Sequence, residues 1–327
     1  MSTQTLDTLS PPTRVLQLRG GLVEAVHPFS FVAFDRGQVV AVGGPPMSTT
    51  FRSAAKPFQL ACALELLGDL PDDLPDDLLA LGAASHSGQT EHVLGVASLL
   101  DRFGLDPACL YCGAHAPMHG PSADALVRSG ASFSALHNNC SGKHAFMAAA
   151  SRANDWPADY RPLSHPLQRH IFGAIEALCE ERPATAIDGC GIPTFCLPLS
   201  GIARAWSQLA TAMERRSTDE RLHRIGWAMA RHPHLTSGTG RLDARLAACA
   251  RLPFVGKIGA AGIFCIARPP NLGVVVKVHT GSMEAVGPAV VAVLNHLEPG
   301  LLDVPEGFEP LLVLNVVMDV VGAYVAE

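Results

Sequence analysis

Charge is scarce in this sequence. Asp, Glu, Lys and Arg make up 17% of its 327 residues, and the net charge is −6. No basic stripe runs along any segment, which speaks against nucleic acid as a partner. The polar start, Met1 to Thr13, has no basic patch followed by an apolar run, so no secretory signal is visible. Leu311 to Ala326 is apolar but broken by Asn315, Asp319 and Gly322, too short and too polar to span a membrane. The nine cysteines are an odd number. Without a signal they read as reduced thiols of a cytoplasmic protein, some of them core residues, and not as a disulfide framework. Long repeats, an evident linker and the C-x-x-C pair of a typical zinc site are all missing.

What is present is apolar. Hydrophobic residues are 48% of the chain, enough for a sizeable core. Residues 1–13 read as a mobile leader and 14–327 as one catalytic domain. Val15 to Val42 holds three or four short strands: 15–18, 22–26, 29–34 and 39–42, with a hairpin turn at Asp35-Arg36-Gly37-Gln38. Gly43-Gly44-Pro45-Pro46 ends this meander. Pro71 to Leu78 is a short acidic duplication, read as a solvated loop, and Leu79 to Ala84 as a buried strand. An apolar-periodic helix is expected from Thr90 to Phe103, an Ala-rich one ending near Asn154, and amphipathic ones over 166–181, 201–215 and 219–231. Leu272 to Val278 reads as a strand, 282–296 as a helix, and the chain after Leu311 as one or two closing strands. Strands at both ends with helices between suggest one sheet built from the two termini. The expected fold class is α+β, a single αβα layered domain with a largely antiparallel sheet.

The chemistry-bearing residues sit at junctions. In Arg52-Ser53-Ala54-Ala55-Lys56-Pro57, a serine and a lysine three apart head a helical run that ends at Gly68. They share a helix face, so a neutral Lys56 can take the Ser53 proton, and the helix N-terminus favours the developing anion. The plain alternative is Ser53 as a helix cap and Lys56 as a solvated first-turn residue. Ser85-His86-Ser87-Gly88 stands at a second junction, with a capping turn as its alternative. Cys140, Lys143 and His144 share a helix start, and Asp188-Gly189-Cys190-Gly191 is a glycine-punctuated turn. Cys140, His144 and Cys190 have the types for a zinc site with an open position, while lysine is a poor ligand unless deprotonated. Ser237 to Asp243 reads as a flexible loop, but its glycines do not fit a phosphate loop. Lys257, among Gly256, Ile258 and Gly259, is a lysine whose burial would lower its proton affinity.

Six stretches together carry a resemblance: R-S-A-A-K-P-F-Q (52–59), S-H-S-G (85–88), N-N-C-S-G-K-H (138–144), D-G-C-G-I-P (188–193), G-T-G-R-L-D (238–243) and G-K-I-G-A (256–260). In this order they resemble the Rhizobium etli-type L-asparaginases, class 3 of the asparaginase II family. The resemblance implies a fold similar to serine β-lactamases and glutaminases, a homodimer, and hydrolysis of L-asparagine to L-aspartate and ammonia. It implies two Ser-Lys pairs, Ser53 with Lys56 and Ser85 with Lys257, and a zinc ion held by Cys140, Lys143 and Cys190. Asp188 matches the acidic residue near the substrate, where it would meet the α-ammonium. Arg52 is a candidate for the α-carboxylate, and His144 a further substrate-binding candidate. Two departures bear on substrate placement or the dimer surface. Ala261 stands where an acidic residue is common, and His279-Thr280 where an aspartate often follows Val278. Two other classes stay open: a serine hydrolase acting on glutamine or a peptide-like amide, and a zinc-binding homologue without catalysis.

Overall fold

The computed structural model describes residues 11–68, 74–216 and 218–327. The start of the expected leader and Pro71-Asp72-Asp73 of the acidic duplication lie outside these residues. The first strands are β1 (Arg14–Arg19), β2 (Leu22–Asp35) and β3 (Gln38–Gly43). A two-residue turn joins β2 to β3, with Arg36 at φ 48 and Gly37 at φ 84. Positive φ at both central residues matches the twist of the flanking strands, and glycine takes it without strain.

Two strands expected at 22–26 and 29–34 are one strand, β2, running through Pro28. Proline is tolerated because β2 changes partner there. Its first half pairs with β1, and from Phe29 onward it pairs with β9 (Leu272–Val278). Thr13, placed in the leader from sequence, is already fastened: its N–H donates to Glu327 O at 2.8 Å.

The remaining strands are β4 (Ser48–Thr50), β5 (Ala184–Ile187), β6 (Pro193–Pro198), β7 (Val255–Gly259), β8 (Ile263–Arg268), β10 (Leu312–Leu314) and β11 (Val320–Ala326). The main sheet has the order β10-β11-β1-β2-β9-β8-β7, with β3 beside β2, and every pairing is antiparallel. It is thus built from the two ends of the chain, as expected. A second sheet, β4-β6-β5, stands apart.

The helices are α1 (Lys56–Leu66), α2 (Asp76–Gly82), α3 (Thr90–Arg102), α4 (Gly120–Ser129), α5 (Ser141–Ala153), α6 (Pro166–Cys179), α7 (Leu199–Glu214), α8 (Glu220–Arg231), α9 (Pro233–Thr236), α10 (Leu242–Cys249) and α11 (Val286–Leu297). The buried strand expected at 79–84 is helix instead, since α2 covers Leu79 to Gly82. A short run apolar on all sides has no period to separate the two states. Asp76 and Asp77 in the first turn tip it towards helix by meeting the positive end of the dipole.

Side-chain alternation divides the core in two. On β8, Ile263, Cys265 and Ala267 face the large helical layer of α1, α2, α5, α7 and α8, while Phe264 and Ile266 face α11. β2 divides in the same way, Phe34 to one side and Phe29, Phe31 and Ala33 to the other. This is the αβα layering, a mixed helix and antiparallel sheet fold. Gly142, at the start of α5, marks the tightest helix contact near the site. A Cβ there would lie 2.2 Å from Leu81 O, so only glycine lets α5 close on α2.

Candidate active site

Ser53 lies in a short 3₁₀ turn, Arg52–Ala55, between β4 and α1. Two bonds to β6 fasten this turn: Phe51 N–H to Phe195 O at 2.7 Å and Arg52 N–H to Thr194 Oγ1 at 3.2 Å. Arg52 sits at φ 49, a left-handed conformation costly for a residue with a Cβ, and local strain of this kind collects at functional turns. Phe51, Ala54, Ala55 and Phe58 are buried and hold the turn in place. Ser53 is half-buried, and no described residue hydrogen-bonds its hydroxyl.

Lys56 is 1% exposed. Its amine donates to Ala84 O at 2.5 Å, Ser85 Oγ at 2.9 Å and Asn139 O at 3.3 Å. The lysine therefore reaches across to Ser85 and not back to Ser53. Burial lowers its proton affinity, opposed by the Cys140 sulfur and reinforced by the Lys143 charge. Ser85, 5% exposed, is fixed by its own N–H to Thr236 O at 2.9 Å, and His86 N–H donates to Asn139 O at 3.2 Å.

Lys257, on β7, is 0% exposed, and β7 packs on the Ser53 turn. Its amine donates to Ile258 O at 3.3 Å and makes no hydrogen bond to Ser85 among the described residues. The Ser85–Lys257 pairing implied by the motifs is therefore not a direct contact. Burial pushes the Lys257 ammonium down to about 8, opposed by Asp243 and reinforced by the charges of Lys56 and Arg241.

Asp188 and Cys190 stand on the turn between β5 and β6, closed by Asp188 N–H to Ile192 O at 2.8 Å. Arg52 Nε donates to Asp188 Oδ1 at 2.8 Å, joining this turn to the Ser53 turn. Burial works against the Asp188 carboxylate, but Lys143, the Gly189 N–H and Arg52 outweigh it and hold its proton affinity low.

Beside it, Lys143 Nζ is 3.3 Å from Cys190 Sγ, and both are buried with Cys140. The interaction between the two sulfurs holds that of Cys140 well below the usual thiol range and lifts Cys190 above it. Burial opposes the Lys143 ammonium, yet the two sulfurs and Asp188 raise its proton affinity. No group of three His, Cys, Asp or Glu able to hold a metal is found among the described residues. The donors that converge are two buried sulfurs and one amine, a soft set that fits zinc once that amine loses its proton.

His144 does not join the sulfurs as the spacing allowed. It is fully buried, and its Nδ1 is 2.9 Å from the Tyr160 hydroxyl. Burial holds it neutral, helped by the Lys143 and Lys56 charges.

Several residues passed over in the sequence complete the site. Asn139 accepts from Lys56 and from His86 through its carbonyl. The 85–89 segment is zipped to 236–239 by Ser87 Oγ to Ser237 O at 2.7 Å, Thr239 N–H to Gln89 Oε1 at 2.8 Å and Gln89 Nε2 to Thr239 Oγ1 at 2.9 Å. Gly238, at φ 128, lies so near that a Cβ would come within 2.4 Å of Ser87 Oγ. The loop read as flexible is pinned, and Asp243 beyond it accepts from Ile258 N–H at 2.6 Å. Polar residues flanking the glycines were the available signal.

The side-chain contact between a lysine and a serine in this group is that of Lys56 with Ser85, with Ser53 and Lys257 on the turn and strand packed beside it. The profile of the L-asparaginase II family matches residues 15–324, and the chain belongs to that family. No curated protein sequence matches the chain significantly. Solved structures that superpose on it include Mglu in its native form, at 15% identity and TM-score 0.42, covering 85% of this chain and 66% of that one. The chain thus spans just under two thirds of that structure's length. Another is a protein from Bacteroides dorei DSM 17855 described as a candidate beta-lactamase, at 10% identity and TM-score 0.42, covering 82% of this chain and 94% of that one. No helix among the described residues is long and apolar enough to cross a membrane.

Proposed function

We propose that the protein is an L-asparaginase, hydrolysing the side-chain amide of L-asparagine to L-aspartate and ammonia through a serine nucleophile and a lysine base. The observation that carries this reading is the Lys56 amine. It is buried, depressed in proton affinity, three residues from Ser53, and 2.9 Å from Ser85 Oγ. Ser53 attacks the amide carbon, and its proton goes to neutral Lys56. Backbone N–H groups at the Ser53 turn meet the oxyanion; that of Ala54 already donates to Phe51 O at 3.2 Å, so the role falls to Ser53 itself. The tetrahedral intermediate collapses, and Lys56 passes the proton to the departing ammonia through the Ser85 hydroxyl. Water then cleaves the β-aspartyl ester. Lys257 adds positive charge that disfavours protonation of Lys56 in the resting site and so keeps the base neutral.

Cys140, Cys190 and Lys143 are the residues that would hold a zinc ion. Bound there, it would fix the Asp188 turn beside Ser53. Nine free cysteines support a reducing, cytoplasmic setting, and the family resemblance supports a homodimer. The direct Ser85–Lys56 bond favours a second reading, in which Ser85 is the nucleophile.

Ammonia release from L-asparagine and from L-glutamine tests the proposal. Wild-type protein is expected to act on asparagine, and Ser53→Ala to lose about 10⁴-fold or more in kcat. Release from glutamine alone would change the substrate. Full activity in Ser53→Ala would move the nucleophile to Ser85.

A further inference from the structure

An amino-acid substrate brings a carboxylate into this site, and a cation must receive it. Arg52 is already engaged, with Nε 2.8 Å from Asp188 Oδ1, and Asp188 is shared further with Gly189 N–H at 2.8 Å. Lys56 spends its hydrogens on Ala84, Ser85 and Asn139. Arg241 is different. Its Nε is buried with no hydrogen-bond partner, and no carboxylate among the described residues forms an ion pair with it. The nearest acid along the chain, Asp243, uses Oδ1 on Ile258 N–H, while its own Oδ2 is buried and unpartnered, so the two charges have not paired.

Arg241 also stands in the right place. It is the residue before α10, at the end of the segment fastened to Ser85, Ser87 and Gln89. Two residues later Asp243 is tied to the strand that carries Lys257. Arg241 therefore lies between the piece of chain that holds Ser85 and the piece that holds Lys257. A buried donor without an acceptor is costly, and a guanidinium fork matches a carboxylate in two parallel hydrogen bonds.

We infer that Arg241 receives the α-carboxylate of the amino-acid substrate beside the Ser53–Ser85 centre, leaving the Arg52–Asp188 pair to face the α-ammonium. This rests on the amidohydrolase reading above. It replaces Arg52 as the carboxylate partner and makes Arg241 the residue that selects free amino acids over amides lacking a carboxylate. The Arg241 charge depresses the Lys257 ammonium in the empty site, so a bound carboxylate would soften that effect.

The test compares L-asparagine with β-alaninamide, the same molecule without its α-carboxylate. Arg241→Met is expected to raise KM for asparagine about 10- to 100-fold with kcat changed only a few-fold, and to shrink the preference over β-alaninamide by a similar factor. Arg241→Lys should restore part of both. An unchanged KM and preference in Arg241→Met would overturn the inference. So would losses in kcat and melting temperature alone, which are what a merely structural role produces.

Calorimetric titration with L-aspartate and β-alanine needs no turnover and separates this inference from the reading beneath it. Wild type that releases no ammonia from asparagine, yet loses aspartate affinity on Arg241→Met, would sink the asparaginase reading and keep Arg241. Active wild type with aspartate affinity equal in both proteins would do the reverse.

Discussion

Lys56 Nζ lies 2.9 Å from the Ser85 hydroxyl, while its remaining hydrogens point to the carbonyls of Ala84 and Asn139. A charged Lys56 is thereby satisfied. A neutral one has a lone pair, and of its three partners only the Ser85 hydroxyl can donate to it. In the proposed mechanism Ser85 is thus the exit for the proton taken from Ser53. Ser85→Ala is expected to lower kcat by about 10²–10⁴-fold while a diazoketone analogue of asparagine still labels Ser53. Intact-mass analysis of labelled protein reads this directly. Label on Ser85 in the Ser53→Ala protein would reverse the two roles.

The contact on which this rests was not legible in the sequence. Ser53 and Lys56 are three apart, and helix geometry alone would join them. The bond forms instead to a residue 29 positions away, because the chain at 84–85 passes directly over the lysine. The Arg52–Asp188 pair spans 136 positions and depends on the small sheet that lays the β5–β6 turn beside the Ser53 turn. Local chemistry was readable wherever it decided the outcome. Gly37 announced its hairpin, and the 3.6-residue period of the longer helices marked them out. It failed at Leu79 to Ala84, where an unbroken apolar run carries no period, and at 237–243, where glycines suggested mobility and Gln89 from far away supplies the pins.

Lys257 predicts how stability responds to alkali. Its ammonium is pushed from the ordinary 10.5 to about 8 in the folded protein. Between those values the unfolded chain binds the extra proton and the folded chain does not, so stability rises with pH across that window. Below about pH 8 both states are protonated and the full burial penalty, up to about 3 kcal/mol, is present. The melting temperature of the wild type should therefore climb from pH 7.5 to 10. Lys257→Met, which has no proton to lose, should shrink that climb to what buried Lys56 contributes by the same linkage. A climb of the same size in the variant would assign it to other groups.

Three stacked histidines predict the response to acid. His86 and His92 have ring centroids 5.1 Å apart at 12°, and His92 and His234 5.5 Å apart at 25°. The hydrogen bonds assign the tautomers. Gly88 N–H donates to His86 Nδ1 at 3.2 Å, so the proton sits on Nε2 and goes to Ser141 Oγ at 2.8 Å. Gln89 N–H donates to His92 Nδ1 at 3.2 Å, so Nε2 donates to His234 O at 3.1 Å. A second proton on either ring would face a backbone N–H. Burial reinforces this and holds both rings below the ordinary 6.5, His86 well below it. Glu91, at 2.6 Å from the outer ring's His234 Nε2, opposes the burial of His92 without overcoming it. As pH falls through 6.5 the unfolded chain takes up protons that the folded chain refuses, so stability is lost with acid. The 85–89 segment carries Ser85, so activity should fall along with it. Denaturant midpoints from pH 7.5 to 5 measure the effect. His86→Gln keeps a donor for Ser141 and cannot be protonated, and it should flatten the acid side of that curve. A curve identical to wild type would mean that the stack does not set the acid limit.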